Sequence, residues 1–319
     1  EGQGADPRRH GGCQRALAPG ARRGGRGHGT WRAGAVKRLA RQNDARRAVR
    51  AAADRRRRAQ GASQGIGRAC AAELIALGAA KVLVVSSDQA QADAAAAQLN
   101  ADAAGAAHAA MPPAVGLGAD LASEAGRAAV VAAVQALLGG RLDVLINNVG
   151  TNVRKPIEEA TDAEFEAMLE LNVRCTFALS RAFAAPLKAT RGCIVNVASV
   201  AGVRSSGTGT IYALTKGAIV QFTRALACEW ARFGVRVNCL CPWMTFTPLL
   251  QQALEKDPHG ADDATAWTPL GRLAEPHEQA ACVAFLCLPA SSYVTGQVLA
   301  CDGGIDAQGF NGPCARGPR

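Results

Sequence analysis

A doubly wound α/β fold around a parallel sheet is what this sequence predicts. Three observations carry that expectation. From residue 61 onward, short β-branched runs alternate with helical runs of ten to twenty residues. A glycine-rich loop opens the first helical run. Apolar residues make up 49% of the 319-residue chain, which is enough for a full core and argues against wholesale disorder.

In chain order, helices are expected at residues 66–77, 89–99, 124–138, 162–185, 211–233 and 275–287. Strands are expected at 81–86, 114–118, 142–146, 193–197, 235–240 and 297–301. The rhythm is β-α-β-α, so the strands run parallel and the helices cover both faces. Residues 100–113 read as an Ala/Gly/Pro-rich surface stretch. No apolar run is long enough to span a bilayer.

The net charge of +10 is unevenly spread. Residues 1–58 hold 17 of the 36 basic residues and 4 of the 26 acids. The remainder is close to neutral, so a uniformly basic nucleic-acid-binding domain is excluded. Rich in Arg, Gly and Ala, residues 1–58 cannot bury enough apolar surface to offset ordering entropy and read as disordered. An organellar transit peptide should be Ser-rich, and this segment has no Ser. A nucleic-acid or membrane arm should interleave aromatics, and it holds Trp31 alone. An incidental extension is the favoured reading. The expected organisation is therefore a basic extension at 1–58, a nucleotide-binding domain at 59–308 and a tail at 309–319. Location is left as cytoplasm or plastid.

The loop Gly61-Ala62-Ser63-Gln64-Gly65-Ile66-Gly67 runs into a helix. Glycines permit a tight turn and let a pyrophosphate reach the backbone. The helix start then offers unpaired amides and a positive dipole end. Such a loop should follow a buried strand. Here Arg55-Arg56-Arg57-Arg58 precede it, and both faces of a central strand would receive charge. The first strand is expected to be missing or replaced.

Tyr212 and Lys216 are four residues apart on a helical run, which places them on one face. A phenol ordinarily titrates near pH ~10, and a neighbouring ammonium favours the phenolate. That pair suits proton exchange with a carbonyl or alcohol. Ser199 follows an apolar strand, where α/β sheets present chemistry. Asn147-Asn148-Val149-Gly150 follows another strand at the same edge. Asn172 lies inside an apolar helical run and needs its amide satisfied. Cys239 and Cys241 alternate on a strand as buried thiols, and no metal site is expected.

In that order, Gly61…Gly65-Ile66-Gly67, Asn147-Asn148-Val149-Gly150, Asn172, Ser199 and Tyr212…Lys216 resemble the short-chain dehydrogenase/reductase family across residues 60–308. The run Asn147–Pro156, Pro242-Trp243 and the ending Gly296–Gly304 are similar to its tropinone reductase-like members. The resemblance implies an NADP(H)-dependent enzyme interconverting a small ketone and a secondary alcohol. The rivals are a 3-oxoacyl-carrier-protein reductase and a catalytically dead binding protein.

The resemblance also implies roles. Tyr212 would be the proton donor, Lys216 its electrostatic partner and ribose anchor, and Ser199 the carbonyl orienter. Asn172 would hold a relay water. Cofactor contacts would come from Gly61, Ser63, Gln64, Gly65, Ile66, Gly67, Ser86, Ser87, Asp120, Leu121, Asn148, Gly150, Tyr212, Lys216, Pro242, Thr245 and Thr247. The absence of an acid at Ser86 leans the choice to NADP(H) over NAD(H). The family's basic position is Ser87 here, and its Thr before the glycine motif is Gln60. A small-molecule substrate is expected, with neither nucleic acid nor membrane as partner. A homodimer or homotetramer is implied, built on 162–185 and 211–233.

Overall fold

The computed structural model describes residues 63–104, 112–205, 207, 209–256 and 260–308. The expectations for 1–58, Gln60, Gly61, the arginine run and 309–319 lie outside the described residues.

Six strands appear among the described residues, all parallel: β1 (Val82–Ser86), β2 (Ala114–Gly118), β3 (Val144–Asn147), β4 (Cys193–Val197), β5 (Arg236–Pro242) and β6 (Val298–Cys301). They hydrogen-bond as two sheets, β1-β2 and β3-β4-β5-β6. No described strand pairs with the inner edges of β1 and β3.

Helices fill the connections: α1 (Gly65–Ala76), α2 (Gln89–Ala103), α3 (Glu124–Leu138), α4 (Asp162–Met168), α5 (Cys175–Ala182), α6 (Ala184–Thr190), α7 (Thr210–Trp230), α8 (Pro248–Lys256), α9 (Gly260–Trp267) and α10 (Pro276–Cys287). Asp88 and Ser123 start α2 and α3 by accepting the amides of Gln91 and Gly126. Each satisfies one otherwise orphaned donor.

Strand alternation divides the core into two faces. Val82 and Val84 of β1 pack with Val144 and Ile146 of β3 under α1 and α10. Leu83 and Val85 pack with Leu145, Ile194, Leu179 and Trp230 on the opposite face. Both faces of the central strands are thus largely apolar, which is why the strands read as β-branched runs. Each fully buried Leu, Ile or Val contributes roughly 1.5–3 kcal/mol. The two sheets share these clusters, so side-chain packing joins them even without a hydrogen bond between β1 and β3.

One expected helix is corrected. Residues 162–185 form α4, then a π-helical turn at Leu169–Arg174, then α5. The amide of Cys175 bonds to Glu170 O, five residues back. The chain then breaks at Phe183 and restarts as α6. Pro186 has no N–H to give to the carbonyl four residues earlier, which ends the ladder there. The strand expected at 142–146 is shorter at its start. Asp143 is instead drawn to Arg141, with oxygen and guanidinium 2.7 Å apart. The helix expected to end at 99 runs on to Ala103, so residues 100–103 are not loop.

Candidate active site

The carboxyl ends of β1, β3, β4 and β5 carry Ser86, Asn147–Gly150, Ser199 and Pro242. Open parallel sheets present ligand sites at this edge. Here it becomes a single constellation through a chain of backbone and side-chain contacts.

Lys216 is 4% exposed, and its Nζ donates to Val197 O at 3.0 Å. Its ammonium stands 5.6 Å from the centre of the Tyr212 ring, one helical turn earlier on α7. Tyr212 is half-buried. Val197 lies two residues before Ser199, so this bond ties the Ser199 strand end to α7. The following 3-10 turn, Val200–Gly202, presses on the same place. A Cβ on Gly202 would come within 2.7 Å of the Lys216 carbonyl carbon and oxygen. Ser199 Oγ accepts the amide of Ala201 at 3.2 Å. That leaves its own O–H to donate.

Gly150 completes the cradle. A Cβ there would lie 3.2 Å from both Lys216 Nζ and Asn172 Oδ1. Any larger residue would crowd the ammonium.

Asn172 is buried in the π turn. Its Oδ1 accepts Thr151 N at 2.8 Å, and its Nδ2 donates to Thr151 O and Thr215 Oγ1, each at 3.0 Å. Thr215 Oγ1 in turn donates to Tyr212 O at 2.8 Å. The Asn172 amide therefore brackets the loop after β3 to the first turn of α7. It holds Gly150, Tyr212 and Lys216 in one frame.

At the other end of the edge, Gly65 begins α1 at φ +55°, a conformation cheap for glycine. Gln64 is its N-cap and makes no side-chain capping bond. The first amides of the 12-residue α1 meet no acidic side chain in its first turn. Gly67 is buried, and Ile66 packs on the core beneath. Ser63 Oγ donates to Ser86 Oγ at 3.2 Å, joining the glycine loop to the end of β1. Ser87 is exposed. The Asp88 carboxylate is engaged in capping α2.

Asp120 Oδ1 accepts Ala122 N at 3.0 Å, while Leu121 is buried. Asn148 is partly exposed at the end of β3. Thr245 is buried, its Oγ1 bonded to Trp243 O. Thr247 Oγ1 accepts Leu250 N, and its methyl packs against Gly65, where a Cβ would meet it at 3.1 Å. The segment after β5 thus reaches across to the glycine turn.

A dinucleotide fits these residues. The Gly65 turn offers bare backbone and unopposed amides to a pyrophosphate, and Gly150 leaves open the space beside Lys216.

Three sets of contacts escaped the sequence reading. Asn147 Nδ2 donates to Asn196 Oδ1 at 2.8 Å, and Asn196 Nδ2 to Thr223 Oγ1 at 2.9 Å. This buried chain fixes β3, β4 and α7 beneath the site. Its signal was present, since a buried polar residue inside an apolar strand needs a partner. Arg204, on the loop beyond Ser199, pairs with Asp306 Oδ1 at 2.7 Å. Arg272 Nη1 lies 2.7 Å from Glu278 Oε2, joining the segment after α9 to α10. The first pair links positions 102 residues apart, which no local pattern reveals; the second spans six residues across the start of α10.

The Arg272 hydrogen bonds, helped by the Glu275 amide, hold the Glu278 carboxyl down to about 2. Lys155 does the same for Glu164, also to about 2. A depressed carboxyl stabilises the fold above its unfolded value near 4.5 and loses that contribution as pH falls toward 2. Glu278→Gln is expected to make the fall of Tm between pH 5 and 2.5 shallower without removing it, since Glu164 is untouched. An unchanged acid limb in a pH series of thermal melts would count against the pair.

Residues 61–306 match the family model described as Enoyl-(Acyl carrier protein) reductase. The chain belongs to the short-chain dehydrogenase/reductase family. A tropinone reductase homolog of Arabidopsis thaliana is 49% identical over 173 residues, 54% of this chain and 65% of that protein. The chain thus spans somewhat less than two thirds of that relative's length. A putative NAD(P) dependent gluconate 5-dehydrogenase from Beutenbergia cavernae, with bound NADP, superposes with a TM-score of 0.72 at 36% identity, covering 80% of this chain and 98% of its own. A 3-ketoacyl-(acyl-carrier-protein) reductase from Brucella melitensis, complexed with NADH, does so at 0.70 and 31%, covering 79% and 98%. The doubly wound fold and the tropinone reductase-like affinity expected from the motifs agree with these findings. Among the described residues, no helix is long and apolar enough to cross a membrane. Among them, too, no group of three or more His, Cys, Asp or Glu could hold a metal ion.

Proposed function

We propose that this short-chain dehydrogenase/reductase reduces a small ketone to a secondary alcohol, or runs the reverse reaction, with a nicotinamide dinucleotide. The observation that carries this reading is the pairing of Tyr212 with a buried Lys216, clamped by Val197 O beside Gly150.

When bound, the nicotinamide supplies or accepts the hydride. Everything else falls to the chain. Ser199 turns its free O–H toward the substrate carbonyl oxygen and orients it. Tyr212 gives its proton to that oxygen as negative charge develops there. Lys216 stabilises the charge left on the phenol oxygen, and its remaining N–H groups are available to ribose hydroxyls. Gly65, Ile66 and Gly67 present amides to the pyrophosphate. Asn172 keeps the frame rigid, and a rigid frame lowers the barrier by positioning.

NADP(H) is the favoured cofactor. Ser63, Ser86 and Ser87 offer hydroxyls where a carboxylate would repel a 2′-phosphate. Arg68 is only loosely paired, 3.8 Å from Asp102, and is close enough in sequence to assist. A homodimer or homotetramer through α4, α5 and α7 is favoured by exposed apolar groups on these helices. Phe177 is 45% and Leu214 52% exposed, and the Phe177 ring meets Phe222 edge-on at 6.3 Å.

The deciding experiment is a panel of small cyclic ketones, sugar ketones and an acyl-carrier β-keto thioester, assayed with NADPH and with NADH. The proposal expects turnover of a free ketone and a lower KM for NADPH. Turnover of the thioester alone would favour the carrier-protein reading suggested by the Brucella melitensis neighbour. No turnover, with no thermal shift from either cofactor, would favour a non-catalytic binding protein.

A further inference from the structure

Cys282 lies midway along α10, and Cys301 ends β6. Both are free thiols and both are partly exposed. Neither belongs to the Tyr212–Lys216 centre. Both pack against the same core cluster, and Cys282 lies one helical turn after Glu278, the turn over which a helical side chain leans back. Two further contacts fix Cys301 against this turn of α10. Its Sγ is 3.9 Å from Glu278 O, and its carbonyl accepts Gln279 Nε2 at 2.9 Å. The backbones on both sides are therefore held in place, as a low-strain cross-link requires.

The pair is also chemically polarised. The hydrogen bond from Cys301 is the main cause that brings the Cys282 thiol down to about 7, against the opposing effect of burial. The same bond pushes Cys301 up. A partly exposed thiolate beside a second thiol is the arrangement of a reactive cysteine with its resolving partner. Cys70 and Cys175 make the contrast: burial pushes each up to about 12, and they are inert packing.

We propose that Cys282 and Cys301 form a modification site, a reversible disulfide that staples α10 to β6, with a glutathione-type disulfide as the oxidant. The Cys282 thiolate attacks one sulfur of oxidised glutathione, and the first glutathione thiolate leaves. Cys301, no longer bonded to an anion, then loses its proton and attacks the Cys282 sulfur, and the second glutathione thiolate leaves. The two cysteines lose two electrons and two protons, and one oxidised glutathione becomes two reduced ones.

The staple has a structural consequence. Cys301 continues into Asp302 and Gly303, which line a cavity of about 80 Å³ with Trp243, Thr268 and Arg272. Leu270 N bonds to Gly303 O at 3.1 Å, and Trp243 Nε1 to Thr268 Oγ1 at 3.0 Å. Oxidation would fix the wall on which the segment after β5 rests.

The full chain is incubated with oxidised glutathione, alkylated and digested with chymotrypsin, which cuts at Phe285 and Tyr293 between the two cysteines. The expected product is a peptide pair joined through Cys282 and Cys301, and dithiothreitol restores both thiols. Closing a loop of about 20 residues should raise Tm by about 5–10 °C, a gain lost in Cys282→Ser and in Cys301→Ser. Exposed Cys228 reports that the oxidant was active. A stable glutathione adduct on Cys282, or modified Cys228 without the 282–301 linkage, overturns the proposal. Peptide mapping of the unsubstituted chain decides this even where a serine variant fails to fold.

Discussion

Tyr212→Phe is expected to lower turnover by about 10²–10⁴-fold, equivalent to about 3–5 kcal/mol of barrier. The substitution keeps the ring and removes the proton. The ring lies 5.6 Å from the Lys216 ammonium and is half-buried at the start of α7, so packing should survive. Lys216 keeps its bond to Val197 O, and the Gly65 turn is remote from the change. The thermal shift given by NADPH should therefore match that of the unsubstituted protein. A split of this kind, with kcat lost and cofactor binding kept, separates a proton donor from a structural tyrosine. Turnover within tenfold of the parent, on a substrate it accepts, would remove Tyr212 from the mechanism.

Asn172→Leu is the second large effect, and it appears first in stability. The side chain is 1% exposed and makes bonds of 2.8, 3.0 and 3.0 Å to Thr151 N, Thr151 O and Thr215 Oγ1. Leucine keeps the same branched skeleton, is bulkier, and has none of the polar atoms. One buried group, Thr215 Oγ1, and two partly buried ones on Thr151 would lose a partner, each at up to about 1–3 kcal/mol before relaxation. A net loss of about 3–5 kcal/mol is expected in the urea midpoint at constant slope. Residual activity should fall as well, because the Gly150 loop loses its tie to α7. A cost under about 1 kcal/mol would mean that water or backbone movement satisfies Thr151 instead, and that the bracket is not structural.

Much of this was legible in the sequence. All six strands were readable to within two residues at each end, the inner ones because both of their faces are buried. Val82-Leu83-Val84-Val85 and Ile194-Val195 carry no polar residue to confuse the pattern. The Tyr212–Lys216 spacing located a shared face because a straight α-helix maps sequence directly onto geometry.

What failed has equally physical reasons. The break at Phe183 follows from Pro186, a local signal masked by the alanines and leucine around it. The π turn left no signature in periodicity, since one extra residue in a ladder barely disturbs an apolar pattern. Nor could the role of Asn172 be deduced. Its three partners sit 21 and 43 positions further along or back in the chain, and only the folded topology brings them together. The Cys282–Cys301 pairing was invisible for the same reason, with a helix and a turn between the two thiols.

The π turn at Leu169–Arg174 sets an unusual rule for how this protein can vary. An α-helix rotates about 100° per residue, so deleting any one position from this turn would restore ordinary winding and swing Asn172 toward a different neighbour. Side-chain exchanges on its outer surface should be mild by comparison. Chain length through this stretch is thus more constrained than composition, and a library that shortens it by one residue should yield far fewer folded clones than one that randomises its exposed positions.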